Sequence, residues 1–189
     1  YLNHQYPNYP IGFPNEVMPD PLALQIGSVL SPVFLSPTGF NALAIDESLN
    51  FYNLIDAIQD PVPNTPSGVE LTYLRTVAKQ TNKYAEVIKA AAAKVTLQSA
   101  YPADNYLAAQ LKAVAKLVAG GLKTKIYMVS MGGFDTHAGQ VNGGNPLTGN
   151  HSGLLKQVSD AITAFTQDLK FLGVSNRVLG MTFSEFGRR

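Results

Sequence analysis

The chain contains no cysteine, which removes disulfides, thiolate metal sites and cysteine nucleophiles at once. Charge is also scarce. Asp, Glu, Lys and Arg make up 14% of the 189 residues, against roughly 25% in an average soluble domain, so much of the surface is polar-neutral, apolar or covered by further chain. The formal net charge is only +1, and without a Lys/Arg run or a basic amphipathic stretch there is no electrostatic footprint for nucleic acid or for a membrane surface. Apolar runs fall well short of the roughly 18 residues expected of a membrane span. Phosphate-loop signatures are missing: neither G-x-G-x-x-G nor G-K-[ST] follows Gly132-Gly133, and no G-x-S-x-G elbow surrounds Ser184. The chain opens on Tyr1 with no charged-then-apolar stretch, which puts any targeting segment upstream.

What is present is enough for one domain with a sizeable core, since 46% of the residues are hydrophobic. Residues 1–66 hold most of the prolines, interleaved with Tyr1, Tyr6, Tyr9, Phe13 and Phe34, and predict an irregular segment packed by its aromatics. Short strands are expected near Leu22 to Ile26 and Asn41 to Ile45, with Asp46 capping a helix to about Ile58. Residues 67–121 predict a helical pair. Ser67 and Glu70 have capping-box spacing, and Leu71, Leu74, Ala78, Thr81, Ala85, Ile88, Ala92 and Val95 share one face of a long helix. A second helix, about Asp104 to Ala119, buries Leu107, Leu111, Val114 and Val118 and stops at Gly120-Gly121; the short connection favours an antiparallel arrangement.

Residues 122–189 predict a βαβ unit: a strand over Lys125 to Met131, a helix over His151 to Leu172, and a strand over Arg177 to Phe183 in a right-handed crossover. The inner helix face is expected to be Leu154, Leu155, Val158, Ile162, Phe165, Leu169 and Leu172. The fold class is therefore α/β, with a mostly parallel sheet. Ligands of such sheets collect beyond the carboxyl ends of the strands, where this chain places its reactive groups.

Asp135 and His137 lie two apart on a Gly-rich loop of about 19 residues, longer than ordinary connections. If extended, the loop turns both to one side, and a carboxylate with an imidazole suits a divalent ion of the zinc or manganese type. Equally, Asp135 can close an Asx-turn with His137 packed beside it. His151 either points to solvent behind Asn150, a good N-cap, or returns a third imidazole to the loop. Beyond the last strand, Glu185 offers a ligand or general base, Arg188 a bidentate oxyanion clamp, and Ser184 a nucleophile or a turn former; a Glu-Arg ion pair is the structural alternative. His4, among the N-terminal aromatics, reads as packing.

Gly-Gly-Phe-Asp135-Thr-His137, His151-x-x-Leu154-Leu155 and Thr182-Phe183-Ser184-Glu185-Phe186-Gly187-Arg188 together resemble the family called domain of unknown function 1501. Met18-Pro-Asp-Pro-Leu-Ala-Leu-Gln-Ile-Gly27, the Pro-Asn-Thr-Pro connector and Gly120-Gly121-Leu122-Lys123-Thr124-Lys125 are similar to one bacterial branch of it. The resemblance implies an exported protein related to alkaline phosphatases, sulfatases and cofactor-independent phosphoglycerate mutases. It further implies an α/β/α sandwich and a divalent metal shared by Asp135 and His137, acting on a small phosphate or sulfate ester; His151, Glu185 and Arg188 match family motifs and are candidates for catalysis. Other segments of the family, a twin-arginine leader, Gly-Gly-Asn-Asp-Gly, Ser-His-Phe and Gly-Thr-Asp-His-Gly, are not found. The chain thus resembles the middle of a member, expected to be catalytically silent by itself. The alternative is a non-catalytic periplasmic or surface binding module on the same fold.

Overall fold

The computed structural model describes residues 1–36, 39–49 and 60–184. Its centre is a parallel sheet of three short strands, β1 (Ala23–Ile26), β4 (Leu43–Ile45) and β5 (Ile126–Met128), ordered β4-β1-β5. Leu24 stands opposite Leu43 on one side and Tyr127 on the other. Every residue of β1 is buried, as expected of a central parallel strand covered on both faces. Between β1 and β4 the chain makes a small antiparallel hairpin, β2 (Leu35–Ser36) with β3 (Gly39–Phe40).

One face of the sheet is covered by helices. Leu24, Ile26 and Ile45 join a core with Tyr84 and Ile88 of α2 (Pro66–Ala93), Leu111, Val114 and Leu117 of α3 (Tyr106–Ala119), and Ala161, Phe165 and Leu169 of α4 (Asn150–Phe171). The other face carries the N-terminal segment: Leu2 of the one-turn helix α1 (Leu2–Gln5), Tyr9, Met18 and Phe34 pack around Leu22 and Ala23. The α/β class and the parallel sheet are as the sequence predicts. The layer opposite α2, α3 and α4 is the Pro- and aromatic-rich segment, held to α2 by the Gln80 amide, which donates to the carbonyls of Pro10 (2.5 Å) and Phe13 (2.7 Å). His4 is exposed, a correction to the packed role expected for it.

Local chemistry adjusts several boundaries. α2 is capped by Thr65, whose hydroxyl accepts from Gly68 N at 3.2 Å, and not by Ser67, because Pro66 takes the first helical position where a missing N–H costs nothing. The predicted face of α2 is buried at Ala85 and Ile88, but Leu71 and Leu74 are exposed. α3 buries Leu107, Leu111, Val114 and Val118 as expected. Its C-terminal end meets that of α2, where a Cβ on Gly120 would lie 2.2 Å from the Ala91 carbonyl oxygen. An antiparallel hairpin would instead bring that end toward the middle of α2, so the connection is not of that kind. The expected helix from Asp46 to Ile58 lies mainly outside the described residues; in its described start, Asp46 Oδ1 accepts from Ser48 N at 2.8 Å.

The largest departure is at the last predicted strand. A 3-10 turn at Ser175–Arg177 follows α4, and residues 178–184 form no strand. Leu179, Met181 and Phe183 are 96%, 83% and 72% exposed. β5 pairs only with β1 among the described residues, so the crossover places α4 on the sheet without delivering a strand beside β5. The α4 face shifts accordingly: Leu155 and Ile162 are exposed, and Ala161, Ala164, Phe165, Asp168 and Leu169 are buried. Small alanines let α4 lie close to α3, the contact that takes over from the missing strand.

Two buried polar side chains lock this layer. Gln110 has no exposed surface; its amide donates to Ser130 O (2.8 Å) and accepts from Ser130 N (3.0 Å) just past β5. Asp168, also fully buried, accepts from Gln98 N (3.0 Å) and Ser99 N (2.9 Å) in the α2–α3 connection. Burial pushes its carboxyl pKa up, but the Gln98 and Ser99 N–H donors, with Tyr101, outweigh this and hold it below the ordinary carboxylate value. Sequence reading passed over both, although each interrupts an apolar helix face, Gln110 beside Leu107, Leu111 and Val114, and Asp168 between Phe165 and Leu172.

Candidate functional site

Parallel strands leave the sheet at one edge, so the segments after β4 and β5 start out together. After β4 come Asp46, Glu47 and Ser48, which with Lys112 and Lys116 of α3 line a cleft of about 330 Å³. Hydrogen bonds from Ser48 side chain and backbone lower the Asp46 pKa. After β5, Gln110 secures Ser130, and the chain enters the Gly-rich loop.

This loop is stitched to α4 at both ends. At its start, Gly133 stands beside Leu154, and the Phe134 ring meets His151 edge-on, with centroids 6.3 Å apart at 82°. Further along, Gly139 O accepts from Asn150 N (3.0 Å) and Gln140 O from His151 N (3.2 Å). The N-cap of α4 is Gly149 and not Asn150, which is the first helical residue. Glycine is required there, since φ is +115° and a Cβ would fall 2.7 Å from Gln140 O and from Val141 Cα.

Between these anchors lie Asp135 and His137. His137 Nδ1 is 2.5 Å from Asp135 Oδ1, and the two side chains are 80% and 63% exposed. His137 has φ +28°, in a region that costs a non-glycine residue on the order of 1 kcal/mol or more and that calls for support from its surroundings. Thr136 N donates to Phe134 O at 2.9 Å, tightening the loop between the anchor and the pair.

The structure thus joins Asp135 to His137 and brings His151 to the same loop, but turns His151 against Phe134. Among the described residues, no group of three or more His, Asp or Glu side chains is placed to hold a metal ion. Oxygen and nitrogen donors suit zinc or manganese, and exposure leaves room for an ion to approach, but two donors bonded to each other do not make up the three or four ligands of a complete zinc site. Ser184 stands at the end of the exposed segment 178–184. Glu185 and Arg188 lie outside the described residues, so their expected roles at this edge have no geometry here. No helix among the described residues is long and apolar enough to cross a membrane.

The fold and site define an α/β protein with a parallel sheet that presents an Asp-His pair beyond one of its carboxyl ends. The chain belongs to the family of proteins of unknown function DUF1501, whose model matches residues 50–189. The match takes in all three motif segments and leaves residues 1–49 outside it, including the segment Met18 to Gly27. No curated protein and no solved structure matches the chain.

Proposed function

We propose that this chain carries the Asp135–His137 foothold of a divalent-metal site in an exported, metal-dependent phosphate- or sulfate-ester hydrolase of the alkaline phosphatase-like kind. The observation that supports this reading most directly is the pair itself: a carboxylate and an imidazole in contact, solvent-accessible, on a loop leaving the carboxyl end of a parallel strand. A bound divalent ion would polarise an ester oxygen and stabilise the attacking one. The chain's own part is to hold the donors ready at the sheet edge, with α4 anchoring the loop on both sides.

Calorimetric titration with zinc and with manganese tests the reading. Two donors are expected to bind weakly, with binding diminished by Asp135→Ala and abolished by His137→Ala. Heats that persist unchanged in His137→Ala would overturn it. The exposure of the pair favours a second reading, a non-catalytic binding module. Metal binding through His137 without turnover of aryl phosphate or aryl sulfate, in a sample whose metal site is complete, would favour that module over the enzyme.

A further inference from the structure

Asp135 and His137 enter the family resemblance as equal ligands of one ion, yet their geometry here is unequal. His137 directs Nδ1 at Asp135 Oδ1 across 2.5 Å, a separation at which the ring nitrogen donates its hydrogen to the carboxylate. A nitrogen that donates a hydrogen has no lone pair left for a metal or a proton, so the opposite atom, Nε2, is the only acceptor the ring can offer. Metal-binding imidazoles elsewhere are oriented in this way, with a carboxylate behind the ring fixing which nitrogen faces forward.

The surroundings favour a fixed arrangement. Phe134 lies against His151, Gly139 and Gln140 are bonded to the start of α4, and His137 is kept at a positive φ. The intervening Thr136 is bonded back to Phe134. The pair is thus carried by a short span whose two ends rest on one helix, and the strained residue is the one whose ring must be aimed.

We propose that Asp135 is a positioning residue and not a metal ligand: it holds His137 as the Nδ1–H tautomer and leaves Nε2 as the one coordinating or proton-accepting atom the pair presents. The metal arm of this inference rests on the reading under Proposed function; the tautomer arm stands without it. Free neutral imidazole of histidine prefers the opposite tautomer, with the hydrogen on Nε2, so the arrangement has a spectroscopic signature.

The test is long-range 1H–15N correlation spectroscopy of the histidine side chains at about pH 8, where an ordinary imidazole is neutral. His4→Gln and His151→Gln assign the signals of the three histidines. In the unsubstituted chain, the His137 Nδ1 signal is expected at the pyrrole-type position and Nε2 at the pyridine-type position. Asp135→Ala is expected to exchange the two. Asp135→Asn, which keeps a carbonyl acceptor and removes the charge, is expected to restore the original pattern, a rescue that a merely structural role would not produce. His137 in the Nε2–H form in the unsubstituted chain, or a pattern unmoved by Asp135→Ala with circular dichroism unchanged, would overturn the proposal.

Excess zinc separates this inference from the functional reading. Perturbation of Nε2 with Nδ1 still protonated, retained in Asp135→Asn, supports both. No response to zinc, with the tautomer pattern intact, removes the metal reading and leaves His137 as an oriented proton acceptor. Loss of the Nδ1 hydrogen on adding zinc, or loss of the zinc response in Asp135→Asn, makes Asp135 a ligand and refutes the proposal.

Discussion

The two halves of α4 meet different surroundings. From Ala161 to Leu169, the helix buries Ala161, Ala164, Phe165, Asp168 and Leu169 against α3 and the sheet. From Asn150 to Asp160, no residue is fully buried, yet this half carries His151 and Leu154 and anchors the motif loop. A single helix therefore divides the work: its second half supplies burial and its first half supplies support for exposed chemistry. The difference suggests that the Asp135–His137 pair can change, or respond to a ligand, at little expense to the core.

The strongest way to break this comparison is to truncate matched leucines. Leu169 is 4% exposed and Leu155 is 51% exposed. Leu169→Ala is expected to cost about 2 to 5 kcal/mol, from lost transfer energy and the cavity left behind, while Leu155→Ala stays within about 0.5 kcal/mol. Urea denaturation midpoints check both, and equal losses would remove the distinction between the halves.

Asp168 sharpens the comparison on the buried side. Asp168→Ala leaves the Gln98 and Ser99 N–H groups without their acceptor and is expected to cost about 1.5 to 3 kcal/mol, the range for hydrogen bonds to a charged group. Because the folded-state pKa is depressed, the stabilisation is present above the unfolded value, about 3.9, and is lost as the pH falls through the folded value. Thermal unfolding followed from pH 7 downward is therefore expected to show a shallower acid loss in Asp168→Asn than in the parent chain. Identical acid profiles would show that the carboxylate contributes no pH-dependent stability.

Gln110 lies between the two regions. Gln110→Ala, which removes both bonds to Ser130, is expected to cost about 1 to 3 kcal/mol and to speed amide exchange at Ser130 more than in α3. Smallest of all is the expected effect at the exposed end: Leu179→Ser and Phe183→Ser each stay within about 0.5 kcal/mol. A loss above 2 kcal/mol in either would mean that residues 178–184 pack in solution.

The helices were largely legible because their signal is repeated over many residues. Leu107, Leu111, Val114 and Val118 mark the buried face of α3, and the sequence places its end at Gly120-Gly121. β1 and β4 were legible from short apolar runs. Arg177 to Phe183 misled for the same reason: a run of Val178, Leu179, Met181 and Phe183 has strand composition, but composition supplies no neighbour to pair with. On α4, periodicity found the helix but turned its face toward Leu155 and Ile162, because the small residues Ala161 and Ala164 carry little weight in an apolar pattern while permitting the closest packing. Of the site, the residue types and their edge were readable. The bond from His137 Nδ1 to Asp135 was not, since two-residue spacing is compatible with shared ligation, an Asx-turn or direct pairing, and only coordinates distinguish them.

The two bonds from Gln110 to Ser130 bear on one further matter. β5 has only three residues, so its own ladder offers little resistance to sliding past β1. A displacement by one residue would invert it, sending Tyr127 away from the helices and Met128 toward them, since alternate residues face opposite sides. By fastening the residue just beyond the strand to a helix that cannot shift with it, Gln110 acts as a ratchet pawl. It fixes the alignment of β5 and with it the point at which the loop bearing Asp135 and His137 leaves the sheet.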